Sequence, residues 1–409
     1  MSQPGGLTPE RFAQMVIERL KTAGFTDLAL DSTNFSIRYR SAENRGAINL
    51  GNYYVKARGA PPAEVVKLID DILEPLSKTL VQSRSEGFDA AASHLMPVVR
   101  DKRYFGMSNL MMVNSGIDPS PGSAMQFRPM VGEVVIALVR DTERQMLQVN
   151  QGILDGWGVT FDQALDRALA NLRARSPLKF KENGNGLFVS AWNDDYDGSR
   201  VLMPELLGGL PIVGNPVVSM PSRNHLLVAG SRDRAALDRL VNATAVLLES
   251  EQRPMTAQLM KFEKGKWLPF EENLPSLPKL REAGFKLIHR DYAQQKDLLD
   301  SILAKKKQDI FVATAKAFQA KDGTGLLSLT QWTKTVVTLL PKTDRLALLS
   351  MDTREMIIVP WSVAAEVLGA RLQSQGMDPE RYLASDYPDD SQLARLRAAA
   401  FTVTTIPAG

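Results

Sequence analysis

Two stretches of this chain, residues 161–249 and 291–372, carry short apolar runs punctuated in the same order by the same turns. In the first, Leu187-Phe188-Val189-Ser190-Ala191 leads to Asp197-Gly198-Ser199-Arg200-Val201-Leu202, then to Val217-Val218-Ser219-Met220-Pro221 and Leu226-Leu227-Val228. In the second, Ile310-Phe311-Val312-Ala313-Thr314 leads to Asp322-Gly323-Thr324-Gly325-Leu326-Leu327, then to Val336-Val337-Thr338-Leu339-Leu340-Pro341 and Leu346-Ala347-Leu348. Strand, Asp-Gly-Ser/Thr turn, Val-Val strand, Pro turn and apolar strand in the same order predict one supersecondary unit used twice. The pattern constrains architecture and says little about chemistry.

At 409 residues the chain exceeds what one core usually holds, which leads to two or three domains. Its 44% hydrophobic and 23% charged residues are those of a folded soluble protein. A net charge of +3 is too small at this size to draw nucleic acid or an anionic membrane without a focused patch. The one run of cations, Lys305-Lys306-Lys307, follows Leu298, Leu299, Ile302 and Leu303 at helical spacing and reads as the last turn of a helix, where cations suit the dipole. No nucleic-acid or membrane partner is therefore expected. The chain has no Cys, which removes disulfides, thiolate metal sites and cysteine nucleophiles and fits a reducing compartment. No basic-then-apolar leader opens it, and no segment approaches the roughly 18 apolar residues of a membrane span. The expectation is a cytoplasmic location.

Residues 7–85 read as a small α+β domain of helix, meander and closing helix. Thr8 is a helix cap followed by Pro9 at the first helical position, with Phe12, Val16 and Leu20 on one face until Gly24. Leu28–Leu30 and Phe35–Tyr39 read as strands, Asn34 and 41–46 as turns, and 62–80 as the second helix. Residues 92–270 form a central module: a strand over 94–99, a loop over 114–123, and a hairpin of Val131–Val139 with Gln145–Val149 across Asp141-Thr142-Glu143-Arg144. Thr160-Phe161-Asp162-Gln163 has the spacing of a capping box at the head of a further helix. Glu271 to Leu280, with Pro275 and Pro278, reads as a linker to a C-terminal module over 284–409, where Trp361–Leu372 is expected to be helical and Asp378-Pro379 to start another helix. The fold class is α+β, with two related modules of mainly antiparallel sheet behind the small N-terminal domain.

Asp194-Asp195-Tyr196-Asp197-Gly198-Ser199-Arg200-Val201-Leu202, preceded by the helix with Ala168 and Asn171-Leu172 and followed by the Pro221 turn, resembles the YtpQ-type family of uncharacterised bacterial proteins. The similarity covers about residues 7–270, with the C-terminal third as an extension. It implies a bacterial cytosolic protein and supplies no catalytic residue. Asp195 stands where that pattern leads to Gly.

The candidate binding residues are Asp194, Asp195, Asp197 and Arg200. Asn193-x-Asp195-x-Asp197-Gly198 imitates the first half of a calcium loop, whose alternate oxygens converge on the ion, but Pro204 stands where the bidentate Glu belongs and Glu205 is one residue late. The simpler reading is an Asx-rich turn with Arg200 paired to a neighbouring carboxylate. The second stretch has Gly325 where the first has Arg200. His94, His225 and His289 are scattered without metal-ligand spacing, no Gly-x-Ser-x-Gly elbow marks a nucleophile, and no glycine pattern completes a dinucleotide or phosphate loop. Neither a metal nor a cofactor is expected. Met107, Met111 and Met112, near Tyr104 and Phe105, read as core packing. Together these features lead to a non-enzymatic binding or interaction protein of bacterial cytoplasm with a protein partner. The alternative is a hydrolase or phosphate- or metal-dependent enzyme with its acidic site in the first stretch.

Overall fold

The computed structural model describes residues 7–32, 35–40, 45–85, 87–116, 125–142, 145–320 and 325–405. They fall into two units: Met1–Pro97, Met111–Gln126 and Leu138–Asn171 form one, and Val98–Leu110, Phe127–Ala137 and Leu172–Gly409 the other. The fold is α+β with mostly antiparallel pairing.

In the first unit the helix Pro9–Thr22 starts where the Thr8 hydroxyl accepts the Arg11 N–H at 3.2 Å, and it buries Phe12, Val16 and Leu20. An antiparallel meander of Thr26–Asp31, Ser36–Arg40 and Arg45–Asn49 packs against it, and Ile69 and Ile72 of the helix Pro62–Ser85 complete the core. The third strand was not expected, and it takes in Arg45 and Gly46, the end of the expected turn. Polar, glycine-containing residues there pair because Ile37 and Ile48 bury a common face. Asn34 and residues 41–44 lie outside the described residues. Further along, Gln145–Gln148 pairs antiparallel with residues 139–142, as expected of the hairpin, whose Glu143 and Arg144 also fall outside them. Thr160 and Gln163 exchange side-chain bonds with each other's backbone N–H, the reciprocal box expected at that helix start.

The second unit is built on a six-stranded antiparallel sheet in the order Lys266–Pro269, Leu259–Glu263, Pro216–Ser219, Leu227–Gly230, Phe188–Ser190, Phe180–Glu182. Its alternation is visible in the paired valines: Val217 joins the core formed with the helices Arg234–Ser250 and Leu277–Lys306, while Val218 joins Val99, Val134, Val201 and Met220 on the opposite face. A sheet buried on both sides requires the uninterrupted apolar runs seen in the sequence.

Three expectations fail here. The supposed linker residues Leu274 and Leu280 are buried in that core, and the helix starts at Leu277 with Pro278 in its first turn, where a missing N–H costs nothing. It continues for 30 residues to Lys306, with Lys305 and Lys306 in the last turn as expected. Asp378-Pro379 heads a strand, Arg381–Ala384, because tertiary bonds hold the backbone there: Gln295 Nε2 donates to the Pro379 carbonyl at 2.8 Å. The next helix is Asp390–Ala398, capped by Asp389 and Gln392. Finally, the matched order of motifs is not matched in pairing. Pro216–Ser219 and Leu227–Gly230 are antiparallel neighbours, whereas their counterparts Thr338–Pro341 and Arg345–Ser350 lie in different sheets, each with a parallel partner, Phe311–Val312 and Leu326–Thr333 respectively. A shared turn vocabulary does not specify a strand's partner, which is set by the face it buries. Residues 322–324 lie outside the described residues.

Trp332, Leu346, Leu348, Ile357 and Val359 form the C-terminal core with the helices Trp361–Leu368 and Asp390–Ala398. Trp361–Leu368 is shorter than expected, because Gly369 turns the backbone to φ +50°.

Candidate functional site

The four acidic-turn residues do not converge on one point. Arg200, 0% exposed, clasps Asp194 with two bonds, Nη1 to Oδ1 at 2.7 Å and Nη2 to Oδ2 at 2.6 Å. Its Nε donates to Ser176 Oγ at 2.8 Å, its Nη2 to the Arg175 carbonyl at 3.3 Å, and its Cζ lies over the Trp192 ring, 4.3 Å from the ring centre. The pairing of Arg200 with a neighbouring carboxylate is thus present, in the bidentate geometry that suits a guanidinium. Partial burial pushes the Asp194 pKa up, but the bonds and charge of Arg200 outweigh it and hold the carboxyl below its ordinary value. Asp197 is fully buried and accepts from the backbone N–H groups of Trp192 and Asp194 at 3.1 and 3.3 Å. Asp195 points elsewhere, to Arg223 Nε at 3.1 Å, and both side chains are partly exposed. Its φ of +67° is the conformation a Gly would adopt freely, and Asn193 shares it at +54°. Asp and Asn tolerate that region better than other side chains. Glu205 is engaged by Arg173.

The histidines stay apart in role. Ser222 Oγ lies 2.8 Å from His225 Nδ1, and Glu251 Oε1 lies 3.6 Å from the same nitrogen. A proton relay needs the serine and the acid on opposite ring nitrogens, so this contact is not one. Ser222 is also 2% exposed. Among the described residues no group of three or more His, Cys, Asp or Glu side chains is placed to hold a metal ion. Of the Met cluster, Met107 is buried and Met111 exposed, so the core reading holds for the former alone.

A cleft of about 680 Å³ that no sequence motif marks lies in the second unit, within the range of ligand sites. One wall is the helix Leu277–Lys306, contributing Leu280, Phe285, Leu287, Ile288 and His289, and Leu259 and Phe270 extend the apolar surface. Helix and loop meet closely, for a Cβ on Gly284 would stand 2.9 Å from that of Ala257. Most charges of the lining are neutralised within the protein. Arg103 donates to both oxygens of Asp101 at 2.8 and 2.7 Å and to Asp291 Oδ2 at 2.7 Å. Burial tends to lower the Arg103 pKa, and the Asp101 bond outweighs it and raises the value; burial raises that of Asp291. Lys342 pairs with Glu380, and Asp344 accepts from the N–H and hydroxyl of Ser328. His289 Nδ1 donates to the Phe285 carbonyl at 3.0 Å, and among the described residues the buried Nε2 has no hydrogen-bond partner. A signal did exist in the sequence: Arg100-Asp101-Lys102-Arg103 is a charged run on the end of an apolar strand, and Arg100, Asp101 and Arg103 are all buried.

A mixed α+β protein with a tied acidic turn and an apolar cleft is thus defined. It is similar to bacterial proteins of the UPF0354 group. A UPF0354 protein of Bacillus cytotoxicus is 22% identical over 64% of this chain and 93% of its own length, and one of Bacillus mycoides is 22% identical over 59% and 86%. A third, from Listeria welshimeri, is 24% identical over 45% of this chain and 70% of its own. No protein-family model matches the chain, and no solved structure matches it significantly. Among the described residues no helix is long and apolar enough to cross a membrane.

Proposed function

We propose that the protein is a non-enzymatic binding protein of bacterial cytoplasm that takes an amphipathic segment of a protein partner into the cleft along the helix Leu277–Lys306, and that the group it resembles is the YtpQ-type family. The observation that supports this is the lining itself: apolar side chains from one long helix beside charges already neutralised by internal partners. Such a surface favours apolar burial and leaves little charge to activate a substrate. The enzyme alternative would require Asp194 to release Arg200, and Asp197 to release two loop amides, before either touched substrate.

The test is photo-crosslinking in the native host from position 288, where Ile288 is 41% exposed in the cleft wall, against position 268, where Leu268 is 40% exposed on an outer strand of the sheet. One protein captured from 288 and not from 268, and lost on Leu287→Glu, is the expected result. Identical captures from both positions overturn the reading. Ester or phosphoester turnover abolished by Asp195→Asn would favour the enzyme.

A further inference from the structure

Arg100 lies on the strand Leu95–Asp101, every residue of which is buried. Side chains alternate along a strand, and Asp101 lines the cleft while its neighbour Arg100 does not. Arg100 is 9% exposed, yet among the described residues its one hydrogen bond runs from Nη1 to the Val99 carbonyl at 2.7 Å, and it forms no ion pair. A guanidinium carries five N–H donors and a charge it does not shed, so this is a costly arrangement to keep. The groups that act on it electrostatically are Tyr104, Arg223, Tyr196 and Asp195. Burial is the main influence and lowers its pKa, and the like charge of Arg223 lowers it further. Asp195, the one carboxylate among these groups, is paired with Arg223 at 3.1 Å and not with Arg100.

The next residue gives a second, independent sign. Asn224 Oδ1 is buried and, among the described residues, has no hydrogen-bond partner. Side-chain amide oxygen and nitrogen are assigned from their partners, so this position can present either a donor or an acceptor. The surrounding backbone is fixed: the Gly198 N–H donates to the Arg223 carbonyl at 3.0 Å, and the Val99 N–H to Ser199 Oγ at 3.1 Å. Both bonds tie the loops that carry Asp195 and Arg223 to each other and to the Arg100 strand.

We propose that Arg100 and Arg223, with the Asn224 amide beside them, form a binding site for an oxyanion, the carboxylate or phosphate group of a small ligand. The site lies outside the cleft lining and does not depend on the partner proposed above. A carboxylate cancels the surplus positive charge while Asp195 stays on Arg223. A phosphate dianion balances the two guanidiniums fully once Asp195 lets go. Asp195 therefore acts as a built-in competitor, and its removal favours phosphate over carboxylate.

The experiment is calorimetric titration of the full chain with sodium phosphate and with sodium acetate, against sodium chloride at equal ionic strength. Saturable binding of phosphate, acetate or both, absent with chloride, is expected, and the anion that saturates identifies the ligand class. Arg100→Met and Arg223→Gln should each weaken it at least about tenfold, as loss of a charged hydrogen-bond donor does. Asp195→Asn should strengthen phosphate binding more than acetate binding. Arg100→Met should also leave the melting temperature unchanged or raise it, since an apolar side chain replaces an unpaired buried charge. If Arg100→Met fails to fold, Arg223→Gln at a partly exposed position decides the matter alone. Failure of both anions to saturate the wild type overturns the proposal. Saturation unchanged by Arg223→Gln does the same, because it locates the anion elsewhere.

Discussion

Arg200 in the acidic turn and Arg100 at the end of its strand are both cations withdrawn from water, and they are supported in opposite ways. Arg200 has a bidentate carboxylate, a hydroxyl, a carbonyl and an aromatic face around it. Arg100 has, among the described residues, one hydrogen bond, to the Val99 carbonyl, and no ion pair. Arg381, 0% exposed, belongs with Arg200: it donates to Gln295 Oε1 at 2.6 Å and to the carbonyls of Ala313, Leu339 and Tyr292, joining the long helix to the sheet that holds Phe311–Val312, Thr338–Pro341 and Arg381–Ala384. Burial lowers its pKa to about 10, which leaves it charged at neutral pH. Burial of a charge is thus no guide to its role. A cation that makes four hydrogen bonds, as Arg200 and Arg381 do, holds the fold, and one that makes a single bond is available to a ligand.

Stability measurements sharpen this contrast. The largest effect is expected for Arg381→Met, which removes four hydrogen bonds, to Gln295 and to three carbonyls, from a buried position. Denaturant unfolding should show a loss of about 3–5 kcal/mol, and a loss under about 1 kcal/mol would break the link between full bonding and architecture. Arg200→Met comes next, at about 2–3 kcal/mol, because Asp194 is only partly buried. A double-mutant cycle with Asp194→Asn should find the two coupled by about 1–2 kcal/mol.

The same pair governs the acid limb of stability. Burial raises the Asp194 pKa and the Arg200 bonds lower it by more, so its folded value lies below the ordinary 3.8. A group of this sign adds stability that is fully present above the ordinary value and lost as pH falls through the folded one. The gap between wild type and Asp194→Asn should therefore be full at neutral pH and close below about pH 4. A gap that widens on acidification contradicts the assignment. The smallest effect is expected for Asp195→Asn, within about 1 kcal/mol, since its pair with Arg223 is partly exposed. A larger loss would move Asp195 from the ligand side of the comparison to the structural side.

What was legible in the sequence was local. Thr8 with Pro9 and Thr160 with Gln163 marked helix starts, because a cap needs only residues within one turn. Arg200 and Asp194, six residues apart, were close enough to suggest a pair. The cleft was not legible, because Arg103 and Asp291 stand 188 residues apart and meet only when the long helix reaches the end of the Val99 strand. Pro275, Pro278 and Gly284 disguised that helix as a linker, although Pro in a first turn and Gly against Ala257 both suit it.

By itself the sequence determined the α+β class, the apolar runs and the pairing of Arg200 with a carboxylate of its own turn, all of which follow from periodicity and near neighbours. Tertiary structure alone decided which strands pair, sending Thr338–Pro341 and Arg345–Ser350 to separate sheets while their look-alikes stay together. It also decided which buried arginines find partners. Strand pairing depends on which faces are buried together, and the cost of a buried charge depends on what distant elements bring beside it. Neither is encoded within the span of a turn.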